Sequence, residues 1–282
     1  MTKDWTPLPG ATGPDHIFCI GDVHGELDSL KAALAEIDKL EKHGNVRIIF
    51  LGDLIDRGPA PIECIKLMLP GNHELMMLMA MLPGKSAAHD KIAVQQWIGN
   101  GGGTAITELV EKGYKLNSAE DLNAAFEKEL PDDFIETMLS RSHLTAGDLL
   151  FVHAGIHPIE DPAEFLARDP FEHNNWAWIR NDFLDYRGGW DETKKRVVVH
   201  GHTPWEQDYG STMQGAMSER MRAWKEGEVL GMDSTFDDTA GADMVESHRR
   251  INLDSGCGKF TTSLPFAEFW DGQYRLHIVT PS

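Results

Sequence analysis

Six side chains could together hold metal: Asp22, His24, Asp53, Asn72, His153 and His202. Five strand ends read as delivering them: one carries Asp22 and His24, and the others carry Asp53 with Asp56, Asn72 with His73, His153, and His202 with His200. In Asp22-Val23-His24 the first and third side chains of an extended exit loop point the same way, and both can touch one ion. Carboxylate and amide oxygens mixed with imidazole nitrogens suit manganese, iron or zinc. The set is too rich in nitrogen for a magnesium or calcium cage. The three cysteines, Cys19, Cys64 and Cys257, are too scattered for a thiolate site. Six ligands hold two ions if one carboxylate bridges. Asp53 is the expected bridge, because Asp56, three residues on, can then serve another purpose.

Two neighbouring divalent ions acidify a bound water and clamp a phosphoryl group. That chemistry also needs planar cations on the phosphate oxygens, and Arg57 and Arg180 are placed to supply them. It needs an acid for the departing oxygen. His73 adjoins Asn72, and Asp56 can hold its imidazole protonated and oriented. Taken singly, each Asp or Asn here could be a turn or capping residue, and each His a core residue bonded to backbone. Their recurrence at successive strand ends favours a shared site. His200 and Glu74 read as supporting groups, the methionines at 76, 77, 79 and 81 as core, and Cys257 as a buried apolar residue. Trp97, Trp205 and Trp224 have no assigned role.

The elements that must position these groups follow from periodicity. His16–Ile20 and Val46–Leu51 read as buried strands, and Glu26–Lys42, with apolar residues at 27, 30, 34, 37 and 40, as an amphipathic helix between them. Strand, helix and strand with polar residues past each strand open an α/β unit. Helices are expected at about 61–69, 89–98, 104–112 and 119–141, and the span 104–141 reads as a helical excursion without catalytic groups. Leu149–Val152 and Arg196–Val199 read as strands running into His153 and His200-Gly201-His202. Ile251–Leu253, Phe266–Trp270 and Tyr274–Val279 are further strands, the last two joined by the hairpin signal Asp271-Gly272. Residues 1–15 read as an irregular arm and 16–282 as one domain. An acidic insertion covers about 205–250, and its stretch 231–247, with five acids and no base, reads as a solvated loop.

Composition narrows the partners. The chain has 282 residues, with 45 acidic and 26 basic side chains and a net charge of −19. Without a basic run, such a surface repels a nucleic-acid backbone. No apolar stretch is long enough to span a bilayer. Unpairable, scattered cysteines and no apolar leader read as a cytoplasmic protein.

Gly-Asp-Val-His-Gly (21–25), Gly-Asp-Leu-Ile-Asp-Arg-Gly (52–58), Gly-Asn-His-Glu (71–74), His-Ala-Gly (153–155) and Gly-His-Thr (201–203) resemble, in order and spelling, the signature blocks of the phosphoprotein phosphatase family. That family is a branch of the calcineurin-like metallophosphoesterases, and the likeness is to its bacterial or phage-like members. Asn252–Cys257 resembles its closing segment. The resemblance implies a four-layer αββα sandwich, two divalent ions (manganese first, iron or zinc as alternatives), and direct in-line attack by metal-activated hydroxide. Carried over block by block, Asp22 and His24 would hold one metal, Asp53 would bridge, and Asn72, His153 and His202 would hold the other. Asp56 and His73 resemble the acid pair, and Arg57 and Arg180 the phosphate-binding arginines. Pro70 stands where the family usually has another arginine, and the interval from Thr203 to Asn252 is longer than usual.

The resulting expectation is a phosphomonoesterase acting on phosphoserine or phosphothreonine in a protein or peptide, with dual specificity for phosphotyrosine and small phosphoesters as further substrates within the same reading. The alternative is hydrolysis of dinucleoside polyphosphates or other small phosphoanhydrides. Relatives of that second kind tend to lose the Asp-Arg pair and to end the third block in Asp, whereas this chain keeps Asp56-Arg57 and Glu74. One interval is puzzling. A helix near Pro61–Leu69 leaves no room for a strand returning to Asn72, so the sequence reads as if residues were missing between about Ile65 and Leu69.

Overall fold

The computed structural model describes residues 1–8, 14–64, 69–82, 87–172, 174–205, 207 and 242–281. The expected gap near Ile65–Leu69 and most of the acidic insertion lie outside the described residues.

The opening unit is β2 (Asp15–Ile20), α1 (Leu27–Lys39) and β3 (Asn45–Phe50), preceded by the short β1 (Thr6–Pro7). β2 and β3 pair in parallel, from Asp15 opposite Asn45 to Ile20 opposite Phe50, so both release their loops at the same end. The C-terminal hairpin of β8 (Leu264–Trp270) and β9 (Gln273–Val279) completes a five-stranded sheet in the order β1-β9-β8-β2-β3. Its turn is Asp271-Gly272, both at positive φ (48° and 68°), as a tight two-residue hairpin requires. The second sheet contains β4 (His143–Ala146), β5 (Leu149–Val152), β6 (Val197–His200) and β7 (Arg250–Asn252), in that order. β5, β6 and β7 are mutually parallel.

Alternation along the strands builds the layers. Ile17, Cys19, Ile49, Leu51 and Phe269 of the first sheet face Phe151, Val197, Val199 and Ile251 of the second in a core between them. Phe151 and Phe269 meet there edge to face at 5.8 Å. Phe18, Ile20 and Phe50 pack outward with Leu30, Ala33 and Ile37 of α1, while Leu150, Val152 and Val198 pack with Phe165, Trp176 and Phe183 on the other side. Two mixed sheets with helices on their outer faces form the expected αββα sandwich.

The helical excursion is broken into α5 (Gly103–Glu111), α6 (Ala119–Glu129) and α7 (Phe134–Ser140), with Pro131 in the second break. The N-terminal arm is not irregular throughout. Thr6 and Pro7 pair with Tyr274 and Gln273, and the terminal ammonium of Met1 donates to Ile278 O at 2.7 Å. The last part of the supposed acidic loop, Ala242–His248, is a helix leading into β7.

Asn72 reaches the sheet ends by a route unlike the others. It is the first residue of α3 (Asn72–Met81) rather than the exit of a strand. Just before it, Leu69 N–H donates to Phe50 O at 3.0 Å, which ties the incoming chain to the end of β3. α2 is described only over Pro61–Cys64. A helix N-terminus beside the sheet therefore does the work for which a returning strand was expected.

Candidate metal centre

Loops after β2, β3, β5 and β6 converge with the start of α3. Backbone bonds lock them together: Val23 and His24 N–H both donate to Asp53 O (3.1 and 2.9 Å), and Gly201 N–H donates to His153 O (2.8 Å). His24, Asp53, Asp56, Arg57 and His202 all have φ between 47° and 69°, in the left-handed region that side chains seldom occupy. Such conformations persist only where surrounding bonds impose them, and they concentrate at functional sites. The turn at His24 corrects the expectation of an extended exit there.

Asp53 lies at the middle of the cluster. His24 Nε2 is 3.5 Å and His73 Nε2 3.9 Å from its Oδ2, and His153 Nε2 is 3.4 Å from its Oδ1. Two sets of potential ligand atoms share it: His24, Asp53 and His73, and Asp53, His153 and His202. Asn72 Oδ1 joins the second set, 3.1 Å from His153 Nε2 and 2.6 Å from His202 Nδ1. Asp22 joins neither three-atom set. Its carboxylate accepts the His202 N–H at 3.0 and 3.2 Å on the same floor. All the expected ligands are buried.

The donor chemistry fits metal ions. His24 Nδ1 lies 3.1 Å from Ile55 O and His153 Nδ1 2.9 Å from Leu51 O. A proton on each Nδ1 leaves the Nε2 lone pair facing Asp53, the arrangement usual for ligating histidines. His202 Nε2 is buried with no hydrogen-bond partner. Burial pushes His24, His153 and His202 below the usual imidazole range, which keeps them neutral and able to ligate. Burial and repulsion from Asp254 and Asp53 push Asp22 well above the carboxylate range, a cost that a cation would relieve. Burial also opposes ionisation of Asp53, which positive charge beside it reverses: its carboxyl is held low when His153, His73 and His24 carry protons.

Beside this floor, His73 Nδ1 donates to Asp56 Oδ2 at 2.7 Å. Burial lowers His73, yet the charge of Asp53 and the bond to Asp56 bring it above its ordinary value. Arg57 Nη2 lies 2.9 Å from His73 Nε2. Arg180 Nη1 donates to Thr203 Oγ1 at 2.9 Å. Glu74 accepts four backbone N–H bonds, from Asp53 (2.8 Å), Leu54 (2.8 Å), Ile55 (3.2 Å) and Gly71 (2.9 Å). Burial and the neighbouring Asp53 charge push its carboxyl up to about 7. His200 is buried against Arg250, 3.2 Å from Nη1. Met76, Met77 and Met81 are core. The three cysteines are buried and unpaired, and no helix among the described residues is long and apolar enough to cross a membrane.

A family model for calcineurin-like phosphoesterases matches residues 16–231. The chain belongs to that family. It is 28% identical over 214 residues to the asymmetrical bis(5'-nucleosyl)-tetraphosphatase of Oceanobacillus iheyensis, covering 67% of this chain and 77% of the relative. It is 32% identical over 94 residues to serine/threonine-protein phosphatase 2 of Escherichia coli, covering 31% and 38%. A solved metallophosphoesterase from Sphaerobacter thermophilus aligns over 95% of this chain and 89% of its own, with 15% identity and a TM-score of 0.42. As a calcineurin-like phosphoesterase with two His/Asp clusters on one carboxylate, the protein is a metal-dependent hydrolase with a dinuclear site. Sequence reading missed what Trp97 does: its indole N–H donates to Asp56. A tryptophan at the end of a helix of mixed polar and apolar residues carries no mark of such a partner.

Proposed function

We propose that this calcineurin-like phosphoesterase hydrolyses dinucleoside polyphosphates or related small phosphoanhydrides. The observation that carries this reading is the extent of likeness. Similarity to the bis(5'-nucleosyl)-tetraphosphatase runs over 214 residues, while that to the protein phosphatase runs over 94. In this proposal Asp22 and His24 would hold one ion, Asn72, His153 and His202 would hold the other, and Asp53 would be shared by both. The bound ions supply an acidified water and neutralise phosphate charge. Arg57 and Arg180 grip non-bridging phosphate oxygens. Arg57 leaves His73 Nε2 as it turns to substrate, Nε2 takes up a proton from solvent, and His73, held by Asp56, then donates that proton to the departing oxygen. A nucleotide leaving group is a stable anion, so it makes a small demand on that acid.

Asp56-Arg57 and Glu74 favour a second reading, the phosphoserine or phosphothreonine phosphatase that the signature blocks suggest. Initial rates with manganese on diadenosine tetraphosphate, a phosphoserine peptide and p-nitrophenyl phosphate separate the two. The proposal expects kcat/KM for the dinucleotide to exceed that for the peptide by about a hundredfold or more, roughly 3 kcal/mol of transition-state binding. The reverse ranking would transfer the assignment to the second reading.

A further inference from the structure

Trp97 ends the helix Ala87–Trp97 and is wholly buried. Its indole Nε1–H donates to both oxygens of Asp56, at 3.0 and 3.1 Å. The same carboxylate takes the His73 Nδ1–H at 2.7 Å. Asp56 is itself fully buried and sits at φ 69°. The segment just past Trp97 touches Asp56's neighbour. Gly101, at φ 117°, accepts the Arg57 N–H at 3.3 Å through its carbonyl. A side chain at Gly101 would put its Cβ 2.8 Å from Arg57 Cγ, and one at Gly102 would put it 2.2 Å from the Trp97 ring. The glycine segment Ile98–Gly102 is a kink between two helices, broken at Gly101 by its positive φ.

We propose that Trp97 is a positioning residue for the proton donor. A buried carboxylate gripped at one oxygen only can swing about its χ2 axis, because terminal sp³–sp² torsions are broad. The bifurcated indole bond fixes the carboxylate plane. Oδ2 then meets His73 Nδ1, and Nε2 is aimed past Arg57 toward the departing oxygen. Trp97 touches neither substrate nor metal ligand in this scheme. Its effect passes through Asp56 to His73. The inference rests on the proposed phosphoester and phosphoanhydride chemistry and adds a third member to the Asp56–His73 pair.

Trp97→Phe keeps an aromatic ring at the site and removes the N–H together with part of the bicyclic ring. The test compares kcat on phenyl phosphate and on 2,4-dinitrophenyl phosphate, with bound metal measured in both proteins. A general acid contributes about 10²–10⁴-fold to such steps, so misaiming it should cost about tenfold on the poor leaving group and about twofold on the good one. Equal losses on both substrates, or none, would overturn the proposal. A second readout needs no turnover: the imidazole NMR resonance of the His73 Nδ1 proton. It should move or broaden in Trp97→Phe, and an unmoved resonance would also overturn the proposal. If wild type cleaves no phosphorylated substrate while that resonance still moves, the functional reading fails and the positioning role stands. Should Trp97→Phe not fold, Gly102→Ala pushes the ring aside without removing the N–H, and the same two readouts apply to it.

Discussion

Gly201 immediately precedes the proposed ligand His202, and replacing it with alanine gives a sharp structural test. A Cβ there would lie 1.9 Å from Asp22 Oδ1, far inside the 3.0 Å that real Cβ atoms respect. Something must move by about an ångström. Gly201 itself is held by its N–H bond to His153 O at 2.8 Å, so Asp22 is the group expected to yield. Its carboxylate then loses the His202 N–H, a charge-assisted bond worth about 1.5–3 kcal/mol. An off-rotamer side chain adds about 0.5–1.5 kcal/mol. The sum is roughly 2–4.5 kcal/mol, which for a domain of this size lowers Tm by roughly 3–8 °C. Asp22 also leaves the metal floor, so the purified variant should hold fewer ions than wild type. Thermal unfolding and metal analysis on the same sample read both effects. Gly103→Ala is the control: nothing lies within 4 Å of its Cβ and its φ of −59° is helical, so stability and metal content should be unchanged or slightly higher. A Gly201→Ala protein with wild-type Tm and full metal content would refute the packing argument.

Asp53→Asn should weaken both metal positions together, because His24 and His153 face the same carboxylate; retention of two tight ions with normal turnover would remove Asp53 from the bridge. His73→Asn should leave metal content intact and slow phenyl phosphate more than 2,4-dinitrophenyl phosphate; equal slowing would take the acid role from His73. Glu268, remote from the proposed metal ligands in the chain, gives a pH prediction. Burial pushes its carboxyl up, but bonds from His277 (2.9 Å), Arg275 (2.6 Å) and His16 (2.9 Å) hold it down at about 2, against an ordinary 4.5. Its folded value is thus below its unfolded one. The stabilisation is complete above about pH 4.5 and disappears as pH falls toward 2. Urea midpoints measured across that window should fall less steeply in Glu268→Gln, and an identical acid slope would contradict the assignment.

Much of this site could be read from the chain because apolar runs end abruptly at polar blocks. Ile17 to Ile20 and Leu149 to Val152 are buried on both faces, so they appear as continuous runs, and Asp22 and His153 follow at once. What escaped reading depends on contacts distant in sequence. β1 is two residues long and exists because β9 offers an edge to pair with. Asn72 was expected after a strand, but a helix N-terminus presents it, and no periodicity distinguishes those two routes. Ala242–His248 looked like an acidic loop because its few apolar residues are set among acids. The Trp97–Asp56 bond joins residues 41 positions apart and follows only from how the helix ending in Trp97 packs against the loop after β3.

The central claim is a pair of ions astride Asp53, and anomalous diffraction from crystals soaked in manganese tests it most directly. The account predicts two peaks, one beside His24 and one beside Asn72, His153 and His202, with the Asp53 carboxylate between them. A single peak, or two peaks that do not share Asp53, would contradict it.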